Sequence, residues 1–153
     1  VGAHNSGLLG ENPKNRPTNL FPIILKVATG EYSRLSIFGN DWPTKDGTCI
    51  RDYIHIMDLA EAHVAALDFL NKNIPQIIAL NIGTGKGTSV LEIIDKFVQV
   101  NRVSLPFYFE KRREGDIHRL VADNTRSLSL LNWKPKRSIE DMCTDSWKTI
   151  TSI

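Results

Sequence analysis

The sequence has little that would hold a metal or a disulfide framework. Only two of its 153 residues are cysteines, Cys49 and Cys143, and neither stands in a Cys-x-x-Cys or other ligand-type spacing. Two isolated cysteines suit a reducing compartment, so the expected setting is cytoplasmic. Long apolar runs are also missing. No stretch approaches the roughly 20 residues that a membrane-spanning helix needs, so no membrane partner is expected. Charge of one sign is not in excess either: 19 Lys and Arg stand against 17 Asp and Glu, a net charge of +2. The longest basic run, Lys111-Arg112-Arg113, is followed at once by Glu114 and Asp116, so no nucleic-acid partner is implied.

What is present has the balance of a one-domain globular chain, with 41% hydrophobic and 24% charged residues. It opens at Val1 inside the polar, Gly-rich run VGAHNSG, which reads as a loop and not as the start of a domain. The sequence is therefore expected to be part of something longer. Residues 1–19 are loop-like. Leu20 to Ala28 is apolar at helical spacing, and Gly30 suits a stop. Leu35 to Phe38 alternates as a strand does, and Cys49 to Ile56 reads as a second strand. Asp58 is placed to cap a helix, with Glu61 three residues on to reach back. Ile77 to Ile82 reads as a short buried strand. Ser89 and Glu92 form a capping box, Phe107 to Phe109 is a further strand, and Thr125–Leu131 and Ile139–Ile150 are two more helices. The alternation predicts an α/β fold.

Three motifs invite a chemical reading. Gly83-Thr84-Gly85-Lys86-Gly87-Thr88-Ser89 lies where a phosphate-cradling loop would lie. Its Lys precedes the last Gly, and its third Gly comes one place early, so it fits neither the P-loop nor the dinucleotide fingerprint. A tight turn beside a cleft is the favoured reading. His55, Asp58 and His63 lack a fourth ligand, and a structural role is expected for them. Arg51 opens a strand-like run, and arginine's planar fork is suited to phosphate; a simple surface pair with Asp52 is equally consistent. The turn Arg112-Arg113-Glu114-Gly115-Asp116 adds further donors and a carboxylate that can accept from ribose hydroxyls. Two such loops suit a nucleoside diphosphate. No covalent nucleophile is indicated at Ser146, Cys143 or Cys49.

These residues resemble one family. Gly2-Ala3-His4 with Ser6-Gly7, Thr18-Asn19-Leu20-Phe21-Pro22, Phe38-Gly39-Asn40-Asp41, Asp46-Gly47-Thr48, Arg51-Asp52-Tyr53-Ile54-His55, Asp58-Leu59-Ala60, Asn81-Ile82-Gly83-Thr84-Gly85 and Arg112-Arg113-Glu114-Gly115-Asp116 are similar, in order and spacing, to the C-terminal half of the UDP-glucose 4-epimerases. Those are extended short-chain dehydrogenases/reductases. The resemblance implies a small mixed α/β substrate-binding lobe over residues 1–153, without most of the N-terminal doubly wound domain.

By position, the resemblance implies that Asn19 and the backbone of Leu20 meet the diphosphate or sugar. Ser36 offers backbone to the uracil and Phe38 packs on the ring. Arg51 and Arg113 bind the diphosphate, Asp116 the ribose, and Val90 packs on the nucleotide. Leu120 falls where the family shapes the sugar pocket with a large tyrosine or a small side chain; leucine is neither.

The implied cofactor is NAD, held by the N-terminal domain together with a Tyr-x-x-x-Lys pair. Here Tyr32, Tyr53 and Tyr108 are followed four places on by Ser36, Met57 and Arg112, so no catalytic or cofactor-binding residue is expected in this chain. The implied activity is interconversion of UDP-glucose and UDP-galactose through a 4-keto sugar, in galactose metabolism, by a homodimeric parent enzyme. This chain alone is expected to be inactive, with apolar surface exposed. Alternatives are part of another nucleotide-sugar reductase or dehydratase of the same family, or a free-standing UDP-sugar-binding module.

Overall fold

The computed structural model describes residues 1–151. Ten elements follow one another: α1 (Leu20–Ala28), β1 (Leu35–Phe38), β2 (Ile50–Arg51), α2 (Ile56–Lys72), β3 (Thr88–Ser89), α3 (Val90–Asn101), β4 (Phe107–Glu110), β5 (Arg119–Leu120), α4 (Thr125–Leu131) and α5 (Ile139–Thr151). The fold is mixed α/β, as the alternation of patterns predicts.

Two small sheets form. In one, β1 and β4 run parallel, with Leu35 opposite Phe107 and Phe38 opposite Glu110. In the other, β2 is central: it pairs antiparallel with β3 and parallel with β5, so Arg51 lies between Thr88 and Leu120. The main core gathers Phe21, Ile24 and Leu25 of α1, Leu35 and Ile37 of β1, Ile93, Ile94 and Phe97 of α3, and Met142 and Cys143 of α5. These are the apolar faces that the helical and strand periodicities mark. A second, smaller cluster holds Ala62, Leu131 and Trp133.

Local chemistry sets the element ends. Ser89 Oγ accepts from the Glu92 amide at 3.1 Å, while the Glu92 carboxylate accepts from the Ser89 amide at 2.8 Å, the expected capping box of α3. The same Ser89 hydroxyl donates to Asp46, which also accepts from the Thr48 amide and hydroxyl. That carboxyl is half withdrawn from water, which alone would raise its pKa. The bonds from Ser89 and Thr48 outweigh this and hold it below its ordinary value. The loop before β2 is thereby tied to the start of α3.

Three expectations need correction. Asp58 is not the cap of α2; His55 is, its ring Nδ1 accepting from the Met57 amide at 3.1 Å. Asp58 sits within the first turn, fully buried, and accepts from the Lys136 and Arg137 amides and the Arg137 guanidinium. Glu61 likewise turns to Lys136 and Arg137 and does not reach back to a cap. The second strand is only Ile50–Arg51: after the Asp52 amide donates to the Leu120 carbonyl at 3.1 Å the ladder ends, and α2 begins at Ile56. Residues Ile77 to Ile82 do not form a buried strand. They take no regular secondary structure and alternate only in burial, with Leu80 and Ile82 packed on the second cluster, yet Ile77 is fully exposed. A strand needs a neighbour to complete its ladder, and among the described residues no strand runs beside this one.

Candidate functional site

Period-2 geometry builds one wall of a small cavity beside β2. Cys49, Arg51 and Tyr53 are alternate residues of the extended run around β2, so their side chains point the same way, and all three line a cavity of about 180 Å³. Leu35 to Phe38 of β1 also line it, with Leu20 and Ile23 from the start of α1 and Val90 from the start of α3. The turn after β4 closes the mouth with Arg113 and Asp116. That turn is tight: the Asp116 amide donates to the Arg113 carbonyl at 3.2 Å, with Gly115 at φ 82°. A positive φ at the third position suits glycine. A second hollow, of about 330 Å³, shares Thr18, Ile23, Ser36, Phe38 and Arg113 with the first and adds Arg16, Tyr32 and Arg34.

Of the nine site residues expected, the cavity brings together seven: Leu20, Ser36, Phe38, Arg51, Val90, Arg113 and Asp116. Asn19 and Leu120 are not in its lining. Asn19 precedes α1, exposed, its amide side chain donating to Glu11 at 3.2 Å. Leu120 lies on β5 directly beside Arg51 in register, 59% exposed. The cavity also contains Thr18, Ile23, Cys49 and Tyr53, which were not expected there. The alternation through Arg51 is the signal that points to Cys49 and Tyr53.

The charges are arranged for an anion flanked by a hydrogen-bond acceptor. Arg51 does not pair with Asp52. Its Nη1 donates to the Ile50 and Ile117 carbonyls at 2.9 and 2.8 Å, and its Nη2 lies 3.5 Å from Asp116. The guanidinium is thus held by backbone oxygens that do not neutralise it, beside one carboxylate. Arg113 stacks 4.2 Å over the Phe38 ring. Burial pushes the Tyr53 phenol up to about 12 and raises the Cys49 thiol as well. Both therefore stay protonated near neutral pH, so Tyr53 can donate a hydrogen bond but is no base, and Cys49 is not a thiolate.

The glycine-rich loop has a different use. Its Thr84 and Gly85 amides, each 2.9 Å away, and the Thr84 hydroxyl all donate to the Asp52 carboxylate. A carboxylate of the chain already fills the place a phosphate would take. A Cβ at Gly83 would stand 2.6 Å from Ala122 and from Asp52, so the approach requires glycine there. These residues do not fit a dinucleotide pyrophosphate. His55 is fully buried, bonded to Met57 and, at 3.2 Å, to Asp145, and His63 donates to the Leu59 carbonyl. Both have structural partners, as Asp58 does.

Comparison with known proteins shows the family. A family model described as GDP-mannose 4,6 dehydratase matches residues 3–146. The chain belongs to this family. Within it, the chain is 49% identical over 147 residues to UDP-glucose 4-epimerase of Bacillus subtilis (strain 168), covering 96% of this chain and 43% of that protein. Among solved structures it resembles UDP-glucose 4-epimerase from Stenotrophomonas maltophila, with bound NAD and formylated UDP-arabinopyranose. The TM-score is 0.95 and the identity 47%, over 99% of this chain and 45% of that one. It also resembles UDP-glucose 4-epimerase from Bifidobacterium longum in complex with NAD+ and UDP, with TM-score 0.94 and 43% identity over the same shares. The chain thus spans less than half the length of the epimerases it matches. Among the described residues no helix is long and apolar enough to cross a membrane.

Proposed function

We propose that this chain is the UDP-sugar-binding part of a UDP-glucose 4-epimerase, corresponding to the C-terminal portion of such enzymes. The observation that carries the reading is the convergence of Leu20, Ser36, Phe38, Arg51, Val90, Arg113 and Asp116 on one cavity. Arg51 and Arg113 neutralise the diphosphate. Asp116 accepts from the ribose hydroxyls, and Phe38 with the β1 backbone at Ser36 receives the uracil. Asn19 and Leu120 flank this cavity and meet the sugar end. On this reading UDP-glucose and UDP-galactose are the substrates, the pathway is galactose metabolism, the setting is cytoplasmic and the parent enzyme is a homodimer.

NAD belongs to the remainder of the polypeptide. It supplies hydride transfer at the sugar when bound there, and this chain's residues bind and orient the nucleotide. The chain alone is then inactive. The apolar row Ile56, Val64, Leu67, Leu70, Ile74 and Ile77, all exposed, supports the presence of further structure against α2.

The whole polypeptide that carries this chain, supplied with NAD, is expected to interconvert UDP-glucose and UDP-galactose. Turnover of neither sugar would sink the epimerase assignment. The match to a dehydratase-named family model favours, as a second reading, another nucleotide-sugar reductase or dehydratase. A panel of nucleotide sugars separates the two.

A further inference from the structure

Arg113 reaches the cavity from an exposed turn, and a long, mobile side chain there would lose rotamer freedom on meeting a ligand. Its neighbour Arg112 turns away and makes three contacts. Its guanidinium lies 4.0 Å over the Trp42 ring, its Nε donates to the Asp41 carboxylate at 2.8 Å, and its Nη2 donates to the Asp41 carbonyl at 2.6 Å. The Arg112 bond holds the Asp41 carboxyl below its ordinary pKa. Trp42 in turn donates its indole N–H to the Phe38 carbonyl at 3.1 Å. Phe38 is the ring on which Arg113 stacks. Two successive arginines therefore sit on two aromatic rings four residues apart, and the rings' segment is itself hydrogen-bonded. Gly39 lies beneath: its amide donates to the Glu110 carbonyl at 2.9 Å, and a Cβ there would strike Trp42 and meet Arg112 Cγ at 3.0 Å. Asp41, Trp42 and Arg112 do not line the cavity.

We propose that Asp41, Trp42 and Arg112 form a latch that positions Arg113 at the mouth of the cavity before ligand arrives. Arg112 is a positioning residue, and Arg113 is the contact. The gain is preorganisation: the turn is anchored on the side away from the ligand, so less order remains to be imposed on binding. The inference rests on the reading of Arg113 as a phosphate contact.

The test is a calorimetric titration of UDP into the whole polypeptide that carries this chain, for the parent, Arg112→Ala, Arg113→Ala and the double variant. Arg113→Ala is expected to weaken binding by roughly tenfold, and Arg112→Ala by several-fold. Arg112→Ala should add nothing in the Arg113→Ala background, because a group that acts through another is silent without it. Arg112→Lys, which keeps the charge, should recover part of the loss. Asp41→Asn, at an exposed carboxylate, repeats the Arg112 arm with little threat to folding. An unchanged affinity in Arg112→Ala, or losses that multiply in the double variant, would overturn the latch while leaving the site intact. An unchanged affinity in Arg113→Ala would overturn the phosphate reading, and the latch with it.

Discussion

At the scale of single residues, Arg51 and His55 show how four positions in one run separate binding from stability. Arg51 spends its two short hydrogen bonds on backbone carbonyls that carry no full charge, and its one carboxylate neighbour, Asp116, stands at 3.5 Å, so much of its positive charge remains available to an anion. Arg51→Ala should weaken UDP binding by about 1.5–3 kcal/mol, the range for charged hydrogen bonds, and Arg51→Lys should restore only part, since an ammonium lacks the fork. Calorimetry on the whole polypeptide would read both.

His55 is buried, and burial holds its imidazole below the ordinary value despite the nearby Asp145. With Nδ1 accepting from Met57, the neutral ring carries its proton on Nε2 toward Asp145. The unfolded chain therefore binds a proton more readily than the folded one. Stability is full above the free imidazole value of about 6.5 and falls as pH drops from there toward the folded value. The melting temperature is expected to decline between pH 7.5 and 5.5, and His55→Gln should flatten that slope. A slope unchanged in the variant would remove His55 as its source.

Elements were legible in the sequence to the extent that their signals are local. The helix over Leu20–Ala28 and the Ser89 capping box rest on apolar spacing and on groups within three residues of each other, and both form where expected. The start of α2 was not legible, because its cap is His55, outside the usual Ser, Thr, Asp and Asn caps, and distant Lys136 and Arg137 claim Asp58. Ile77 to Ile82 carries a strand pattern, but pairing is not a local property. The cavity was legible mainly through resemblance; periodicity alone points to Cys49, Arg51 and Tyr53.

The end of α3 offers a test at this scale. Arg102 closes the helix at φ 55°, a left-handed conformation that costs a residue with a side chain roughly 1–2 kcal/mol. Arg102→Gly should stabilise the chain by about 0.5–1 kcal/mol after the added freedom of the unfolded glycine is counted. Denaturant unfolding would check it, and a loss of stability would show that the Arg102 side chain matters more than its backbone.

Taken as a whole, the molecule has one well-packed core around α1, α3 and α5 and a second region with little cover. On α2, Val64 and Leu67 are 60% and 61% exposed, which is costly for apolar groups unless something else meets them. Val64→Asp with Leu67→Asp should leave the melting temperature of this chain nearly unchanged and reduce its self-association in light scattering. A large loss of stability would instead place these residues in the core of this chain.

The most direct test of the account is where UDP touches the chain. With the 153 residues isotopically labelled, UDP should shift the amides of Leu20, Ser36, Phe38, Arg51, Val90, Arg113 and Asp116, even if binding is weak. The Thr84–Gly85 amides, already bonded to Asp52, should stay still. Shifts centred on the Gly83–Gly87 loop, or no shifts at millimolar UDP, would contradict it.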